Sequence, residues 1–351
     1  MRKWLDDQNA TYMWEEFHSL EEDTVDVLFM GTSHVHEGID PMYIYENSGI
    51  TSFTLSGSQA RFDTTYLALK EALKTQSPQI LFLDMSAIQY GQQLREAKIH
   101  QITDHISLPL DKIELVRNSE DEDLTMLDVL FPLFRFHSRW NQLNAHDFMY
   151  ATGDLETTYT RGHYVDYTTV LSEFHFYDED GMTCRITDRD RSYLDRLVTL
   201  CEENDIELIM YKLPAPYWSL SLSESATEIA AEYGLEFWEM YYEFDEIGLD
   251  VTTDFRDATD HLNQYGAEKI SAYLMEYLQE NYDLEDQRGT NARWDSDLAG
   301  YHQELEDAYQ TLLEAETEPE DGTDIDNQDD EEEDDEAVDH LVQDADEEEG
   351  E

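Results

Sequence analysis

The stretch Val25-Asp26-Val27-Leu28-Phe29-Met30-Gly31-Thr32-Ser33-His34 is a short apolar run that ends at a glycine and continues into polar residues. An apolar run of this length, rich in β-branched and aromatic residues, is typical of a strand buried on both faces of a parallel sheet. Such sheets bind ligands in the crevice at the carboxyl ends of their strands. The stretch therefore predicts a central strand that delivers Ser33 to that edge.

Strand and helix patterns alternate along the chain after this stretch. Apolar runs bounded by turn residues predict further strands, and apolar residues at helical spacing predict the helices between them. This alternation favours right-handed crossovers and a parallel sheet. We therefore expect an α/β fold, a three-layer α/β/α sandwich around a five-stranded parallel sheet of the flavodoxin-like kind. The predicted strands are residues 25–30, 52–55, 80–84, 206–211 and 235–238, and the predicted helices are residues 62–74, 193–204, 224–233 and 264–281.

The alternation is interrupted over residues 89–187. A helical pattern covers residues 124–144, and a Tyr-rich, glycine-containing stretch follows through His163 and Tyr177. We interpret this region as a helical insertion, or a cap over the strand ends.

The composition changes again after residue 284. Residues 298–315 have a helical pattern, and Asp329 to Glu336 is an unbroken acidic run of the kind found in disordered tails. The sequence thus predicts three parts: an α/β domain over residues 1–284, a helical extension over residues 285–315 and an acidic disordered tail over residues 316–351.

The chain is strongly acidic, with 83 Asp and Glu against 21 Lys and Arg and a formal net charge of -62. A nucleic-acid partner is excluded on this ground, because a phosphate backbone would be repelled. The tail is interpreted as a solvating segment, and recruitment of basic partners is the alternative. The acidic surface also suggests adaptation to high ionic strength, where screening weakens its self-repulsion.

Cys184 and Cys201 are the only cysteines, and a single pair fits neither a zinc site nor a disulfide-rich scaffold. No apolar run approaches the roughly 20 residues of a membrane span. The first residues lack the apolar core of a signal peptide. The sequence as written predicts a soluble chain with no membrane span and no cofactor.

Two residues are candidates for nucleophilic catalysis. Ser33 directly follows the first strand, and His261 lies in an acidic loop before the last core helix. A neutral imidazole takes a serine proton and returns it to a leaving group when a carboxylate fixes its tautomer. Asp257 and Asp260 are the neighbouring carboxylates. The alternatives are a serine that caps the next helix and a histidine at the surface.

A nucleophile after the first strand, paired with an acid and a histidine before the last helix, resembles the SGNH/GDSL hydrolase superfamily. The resemblance is closest to bacterial proteins that accompany membrane-bound O-acyltransferases in polysaccharide O-acetylation. It covers residues 17–278, and its best stretch is residues 25–34. It continues through Gly57, the strand at 80–84, and the stretches His261-Leu262-Asn263 and Gly266-Ala267.

The resemblance implies a role for each matching residue. Ser33 would be the nucleophile, with its backbone amide as one oxyanion donor, and Gly57 would supply another. His261 would be the general base. A membrane-bound O-acyltransferase would be the partner, and the location would be the extracytoplasmic cell surface.

The chain departs from the family pattern at three points. The position three residues before His261 is Ala258, so Asp257, Asp260 or neither orients the imidazole. Classical members of the superfamily have another oxyanion donor, an asparagine in their third conserved sequence block. It has no clear counterpart near residues 84–90. The membrane anchor with which this subgroup commonly begins is missing, which leaves a misassigned start, a true absence or a cytoplasmic protein as alternatives.

Three further residues are predicted to line the site. His34 and His36 flank the nucleophile, and with no third ligand at suitable spacing they are interpreted as pocket or substrate contacts rather than metal ligands. Lys212 follows the fourth strand and so belongs to the same crevice.

The function expected from these residues is that of a serine esterase or O-acetyltransferase acting on acyl esters of a carbohydrate or cell-surface polysaccharide. The alternative is a catalytically impaired protein of the same fold that binds glycans or assists assembly. Whether water or a sugar hydroxyl accepts the acyl group depends on how the pocket excludes water.

The salt hypothesis predicts that the melting temperature rises as NaCl is increased from about 0.1 to about 1 M, because the screening length falls from about 10 to about 3 Å. Calorimetry over this range measures the effect. A melting temperature that does not change with salt contradicts the hypothesis.

Overall fold

The computed structural model describes residues 8–90, 96–118, 125–130, 157–172, 183–215, 218–258 and 261–317. Its centre is a five-stranded, all-parallel sheet with the strand order β2-β1-β3-β4-β5. The strands are β1 (Val27–Gly31), β2 (Ser52–Ser56), β3 (Ile80–Asp84), β4 (Glu207–Lys212) and β5 (Phe237–Glu239). Helices cover both faces, so the expected α/β sandwich is confirmed.

The described helices surround this sheet in chain order. The helix predicted over 264–281 is found with those bounds, whereas three short helices near the N-terminus were not predicted. Helices of one to three turns contain too few apolar positions to set up a period. The helices are α1 (Gln8–Ser19), α2 (Ser33–Gly38), α3 (Pro41–Ser48), α4 (Phe62–Ala72), α5 (Glu96–Thr103), α6 (Pro109–Asn118), α7 (Met126–Leu130), α8 (Asp188–Glu203), α9 (Leu220–Glu232), α10 (Phe244–Ile247), α11 (Gln264–Asn281) and α12 (Ala292–Thr317), with 3₁₀ turns at Met85–Gln89 and Met240–Glu243.

Two apolar cores pack on opposite faces of the sheet because successive strand residues point to opposite sides. Val27, Phe29 and Phe82 belong to the core under α2 and α11. Leu28 and Met30 belong to the core under α1, α4, α8, α9 and α12. The continuous apolar runs in the sequence reflect this two-sided burial.

The strand order reverses direction between β1 and β3. From β1 the chain goes to β2 on one side and then returns to β3 on the other. The connections that leave β1 and β3 therefore diverge, which opens a crevice at their carboxyl ends. Ser33 follows β1 at this point.

The segment 157–172 lies against β2 and is held there by a buried arginine. The backbone carbonyl of Arg161 accepts a hydrogen bond from the Thr54 amide at 3.0 Å. The fully buried guanidinium pairs with Glu16 of α1 at 2.5 Å and with Asp297 of α12 at 2.6 Å. It also lies 4.3 Å from the centre of the Trp294 ring. One cation thus joins three segments that are distant in sequence.

The predicted insertion and the predicted C-terminal parts of the chain are only partly covered by the described residues. The insertion predicted over 89–187 contains α5, α6, α7 and the segment 157–172, and the rest of the helix predicted over 124–144 lies outside the described residues. The chain divides into units Met1–Tyr309 and Gln310–Glu351. Only the helical residues 310–317 of the second unit are described, so the domain boundaries and the disordered tail stay predictions.

Across the described ranges, no helix is both long and apolar enough to cross a bilayer.

Phe82 is predicted to be a main stabilising residue of the core. Its buried ring contacts the rings of Phe29 and Tyr211, with centroid distances of 4.9 and 5.6 Å. Phe82→Ala should lower the free energy of unfolding by about 3–5 kcal/mol, because it leaves a cavity in a packed interior. Urea denaturation measures the loss.

Tyr242→Ala is the matched control, since the Tyr242 side chain is 69% exposed. It should change the free energy of unfolding by less than about 0.5 kcal/mol. Similar losses for the two variants would contradict the packing described.

Candidate active site

The turn that presents Ser33 depends on Gly31. Gly31 has a φ of +152°, and a Cβ at this position would lie 2.4 Å from the Cβ of Asp84. Thr32 precedes helix α2 as its N-cap residue, and Ser33 is the first helical residue. The backbone of β1 therefore passes Asp84 at a distance that only glycine permits.

Asp84 ties this turn to the end of β3. Its Oδ2 accepts hydrogen bonds from the Thr32 hydroxyl at 2.7 Å and the Thr32 amide at 3.3 Å. Its Oδ1 accepts from the amide and hydroxyl of Ser86. Burial would raise the pKa of Asp84, but the charge of Lys212 and these hydrogen bonds lower it below its usual range. The carboxylate is therefore ionised and fixes the residue that precedes Ser33.

Ser33, His261 and Asp257 form a continuous hydrogen-bonded chain. The Ser33 Oγ lies 2.9 Å from His261 Nε2, and His261 Nδ1 lies 2.7 Å from Asp257 Oδ2. A carboxylate only accepts, so Nδ1 carries the proton and Nε2 is left to accept from the serine hydroxyl. This arrangement is the one required for a serine nucleophile with a histidine base.

The loop before α11 explains why the acid stands four residues before the histidine. Phe255 and Leu262 form an antiparallel bridge, and the Arg256 amide donates to the His261 carbonyl at 3.0 Å. Asp257 is therefore folded back over His261, and its Oδ1 also accepts from the His261 amide at 3.2 Å. The Asn263 side chain accepts from the Gly266 amide and caps the helix that follows.

His34 and Lys212 lie beside this chain. Lys212 is fully buried at the end of β4, and its Nζ contacts His34 Nδ1. An ammonium only donates, so His34 Nδ1 is the acceptor in this contact when Lys212 is protonated. The rings of His34 and His261 are 5.4 Å apart and nearly perpendicular. The structure thus brings His34 next to His261, with Lys212 behind His34.

His36 and Gly57 lie on the β2 side of the site. His36 Nδ1 is 2.8 Å from Ser56 Oγ, and burial, together with the neighbouring charges, lowers the pKa of His36 to about 3. The Gly57 amide donates to the Gly31 carbonyl at 3.0 Å. The Gly57 amide is therefore engaged by the strand that delivers Ser33, and its role as an oxyanion donor stays a prediction.

A cavity of about 650 Å³ adjoins this side. Its lining includes His36, Ser56 and Gly57 together with Tyr164, and α12 contributes Glu304. Burial and the negative charge of Glu16 raise the pKa of Glu304 to about 7. The cavity therefore offers hydroxyl, imidazole, aromatic and carboxyl groups beside Gly57, whose amide bonds to the carbonyl of Gly31, two residues before Ser33.

Three charged residues of the site, Glu37, Arg256 and Asp84, were missed in the sequence. Glu37 Oε1 lies 4.0 Å from His261 Nε2, and Arg256 pairs with Glu37. A glutamate four residues after Ser33 shares its helix face, so the spacing was a usable signal once α2 was known. Asp84 stands out in the sequence only as the last residue of a strand.

The remaining predictions concern Asp260 and metals. Asp260 lies outside the described residues. Within the part of the chain that the structure describes, no group of three or more His, Cys, Asp or Glu side chains is arranged to hold a metal ion.

No family model matches the chain, and no curated protein matches it. Among solved structures, a protein from Bacteroides fragilis NCTC 9343 that is provisionally described as an acylhydrolase is similar, with a TM-score of 0.37 and 11% identity over 80% of this chain and 99% of that chain. A likeness of this degree assigns neither a family nor an activity.

Gly31→Ala should be more destabilising than an ordinary glycine substitution. The new methyl group would collide with the Asp84 side chain, and the positive φ adds backbone strain, for a combined cost of about 3 kcal/mol or more. Urea denaturation of the variant measures this loss.

Gly234→Ala is the control, because Gly234 has a φ of +73° and nothing lies within 4 Å of the place that a new methyl group would occupy. Only strain of about 1 kcal/mol is expected there. Equal losses at the two positions would show that the close approach to Asp84 is unimportant.

Proposed function

We propose that this chain is a serine esterase or O-acyltransferase that acts on acyl esters of a carbohydrate or cell-surface polysaccharide. The observation that carries the proposal is the chain of hydrogen bonds from Ser33 through His261 to Asp257, at 2.9 and 2.7 Å. Ser33 begins helix α2, and Asp257 and His261 come from the loop before α11; their contacts match the roles of nucleophile, base and orienting acid.

In the first half of the reaction, Ser33 Oγ attacks the ester carbonyl carbon while its proton moves to His261 Nε2. The positive charge that forms on the imidazole is stabilised by Asp257. The tetrahedral intermediate then collapses, the carbon–oxygen bond to the alcohol breaks, and the Nε2 proton goes to the departing oxygen. The acyl group remains as an ester on Ser33.

In the second half, a hydroxyl group attacks the acyl-serine while His261 Nε2 takes its proton. The bond to Ser33 Oγ breaks, and the proton returns to that oxygen. Water as the acceptor gives hydrolysis, and a sugar hydroxyl gives transfer. His261 therefore acts as base and then acid in each half.

The developing oxyanion needs donors that point at it. The Ser33 amide is the first proposed donor. The Gly57 amide would become the second if it released the Gly31 carbonyl on substrate binding. His34, whose ring lies beside that of His261, is a further candidate for contact with the substrate.

The adjoining cavity supports a carbohydrate substrate. About 650 Å³ accommodates a small ligand of sugar size, and its lining mixes aromatic rings with hydroxyl and carboxyl groups. A partner membrane-bound O-acyltransferase, as supplier of the acyl group, is implied by the resemblance alone.

Ser33→Ala and His261→Ala should each lower kcat for an aryl acetate by at least about 10³-fold, because the three residues act as a unit. Asp257→Asn should lower kcat by about 10²-fold or more, since the carboxylate that fixes the tautomer of the imidazole would be lost. Asp260→Asn should have little effect. A fluorophosphonate probe with mass spectrometry should label Ser33.

Ser221→Ala is the control, as Ser221 is an exposed serine on α9. It should keep full activity and labelling. If the parent protein neither turns over the ester nor becomes labelled at Ser33, the esterase proposal is wrong and the chain is a binding or assembly protein.

A further inference from the structure

Glu37 and Arg256 form an ion pair at the imidazole of His261, on the opposite side from Asp257. We infer that this pair sets the basicity of His261: Glu37 stabilises the imidazolium, and Arg256 limits that stabilisation. Both are positioning residues, because they act through His261. The catalytic meaning of the inference rests on the proposed function, whereas its electrostatic content is independent of it.

Glu37 reaches the imidazole because of its place on α2. It follows Ser33 by four residues, so the two side chains share one face of the helix. The Glu37 side chain is only 6% exposed, and its Oε1 lies 4.0 Å from His261 Nε2. At 4.0 Å the carboxylate is too far from Nε2 to form a hydrogen bond with it in place of Ser33, but close enough for a strong interaction with a charge on the ring.

Arg256 holds Glu37 at that distance. Its Nε lies 2.5 Å from Glu37 Oε2, and its Nη2 lies 3.3 Å from Oε1. The guanidinium also contacts Asp166 at 3.3 Å and lies 5.4 Å from the Tyr164 ring centre. The backbone amide of the same residue donates to the His261 carbonyl. Arg256 therefore contacts both the carboxylate and the main chain of the histidine.

The two charges act on His261 with opposite signs. When Nε2 takes the Ser33 proton, the ring becomes positive, and a negative charge nearby favours that state. The guanidinium is always protonated and disfavours it. Removing Glu37 should therefore lower the pKa of His261, and removing Arg256 should raise it.

Other charged or titratable groups also face His261. Asp257 contacts it from its own loop, and His34 and His36 approach it from α2. Lys212 of β4 stands behind His34. These groups are unchanged in the variants below, so they contribute equally to each measurement.

The test is a titration of His261 by NMR on full-length protein with ¹³C-labelled histidine, with the His261 signal assigned by its loss in His261→Gln. Glu37→Gln should lower the pKa of His261 by about one unit, and Arg256→Gln should raise it by about one unit. The double variant should return close to the parent value. Arg256→Lys keeps the charge and should leave the pKa near that of the parent.

Kinetics with the aryl acetate provide the second readout. Because His261 must be unprotonated to act as a base, activity rises with pH through its pKa. The acid limb of kcat/KM should therefore move to lower pH in Glu37→Gln and to higher pH in Arg256→Gln. Arg191→Gln, which breaks the exposed pair with Glu232, should move neither the limb nor the pKa.

The inference would be overturned if Glu37→Gln and Arg256→Gln shifted the pKa of His261 in the same direction or not at all. It would also be overturned if Arg256→Lys shifted that pKa as much as Arg256→Gln, because a purely structural role moves the pKa without regard to charge. If either Gln variant fails to fold by circular dichroism, Glu37→Asp and Arg256→Lys should both stay within about half a unit of the parent pKa, and larger shifts count against the pair. Opposite shifts in a protein that shows no esterase activity would refute the proposed function and leave the inference standing.

Discussion

The contact between the Asp84 carboxylate and the Gly31-Thr32 backbone is the constraint on which the site depends. It joins the ends of β1 and β3 on either side of the crevice where the sheet order reverses. Burial and the hydrogen bonds to Ser86 fix the position of the Asp84 side chain, so it cannot move with the backbone of β1 if that backbone shifts. The direction in which α2 leaves the sheet, and with it the position of Ser33, His34 and Glu37, is set by this one carboxylate.

The sheet could be predicted from the sequence because its central strands are buried on both faces. Strands β1 and β3 are apolar up to their last residues, and the predicted boundaries of all five strands fall close to the observed ones. Helix α11 was also predicted, since its 18 residues repeat a period several times. The short helices α2 and α3 were missed, because two turns do not establish a period. Their positions depend on contacts with the sheet.

The candidate site was predictable only in part. Ser33 and His261 stand at positions that the order of strands and helices makes informative. Asp257 was one of two candidates, and the choice depended on how residues 255–262 fold back, which no local pattern specifies. Glu37 and Arg256 were missed because they are separated by more than two hundred residues and meet only through the packing of α2 against the loop before α11. The same holds for Lys212 and His34.

The segment 157–172 has a consequence for the outer edge of the sheet. The outer edge of a sheet exposes unpaired amides and carbonyls that can bond to another chain. One edge here is β5, which is only three residues long, and the other is β2, whose Thr54 amide is taken by the Arg161 carbonyl. The guanidinium of Arg161, anchored to Glu16 and Asp297, keeps that carbonyl in place. The two buried ion pairs of Arg161 thus keep this edge of the sheet from pairing with another chain at Thr54.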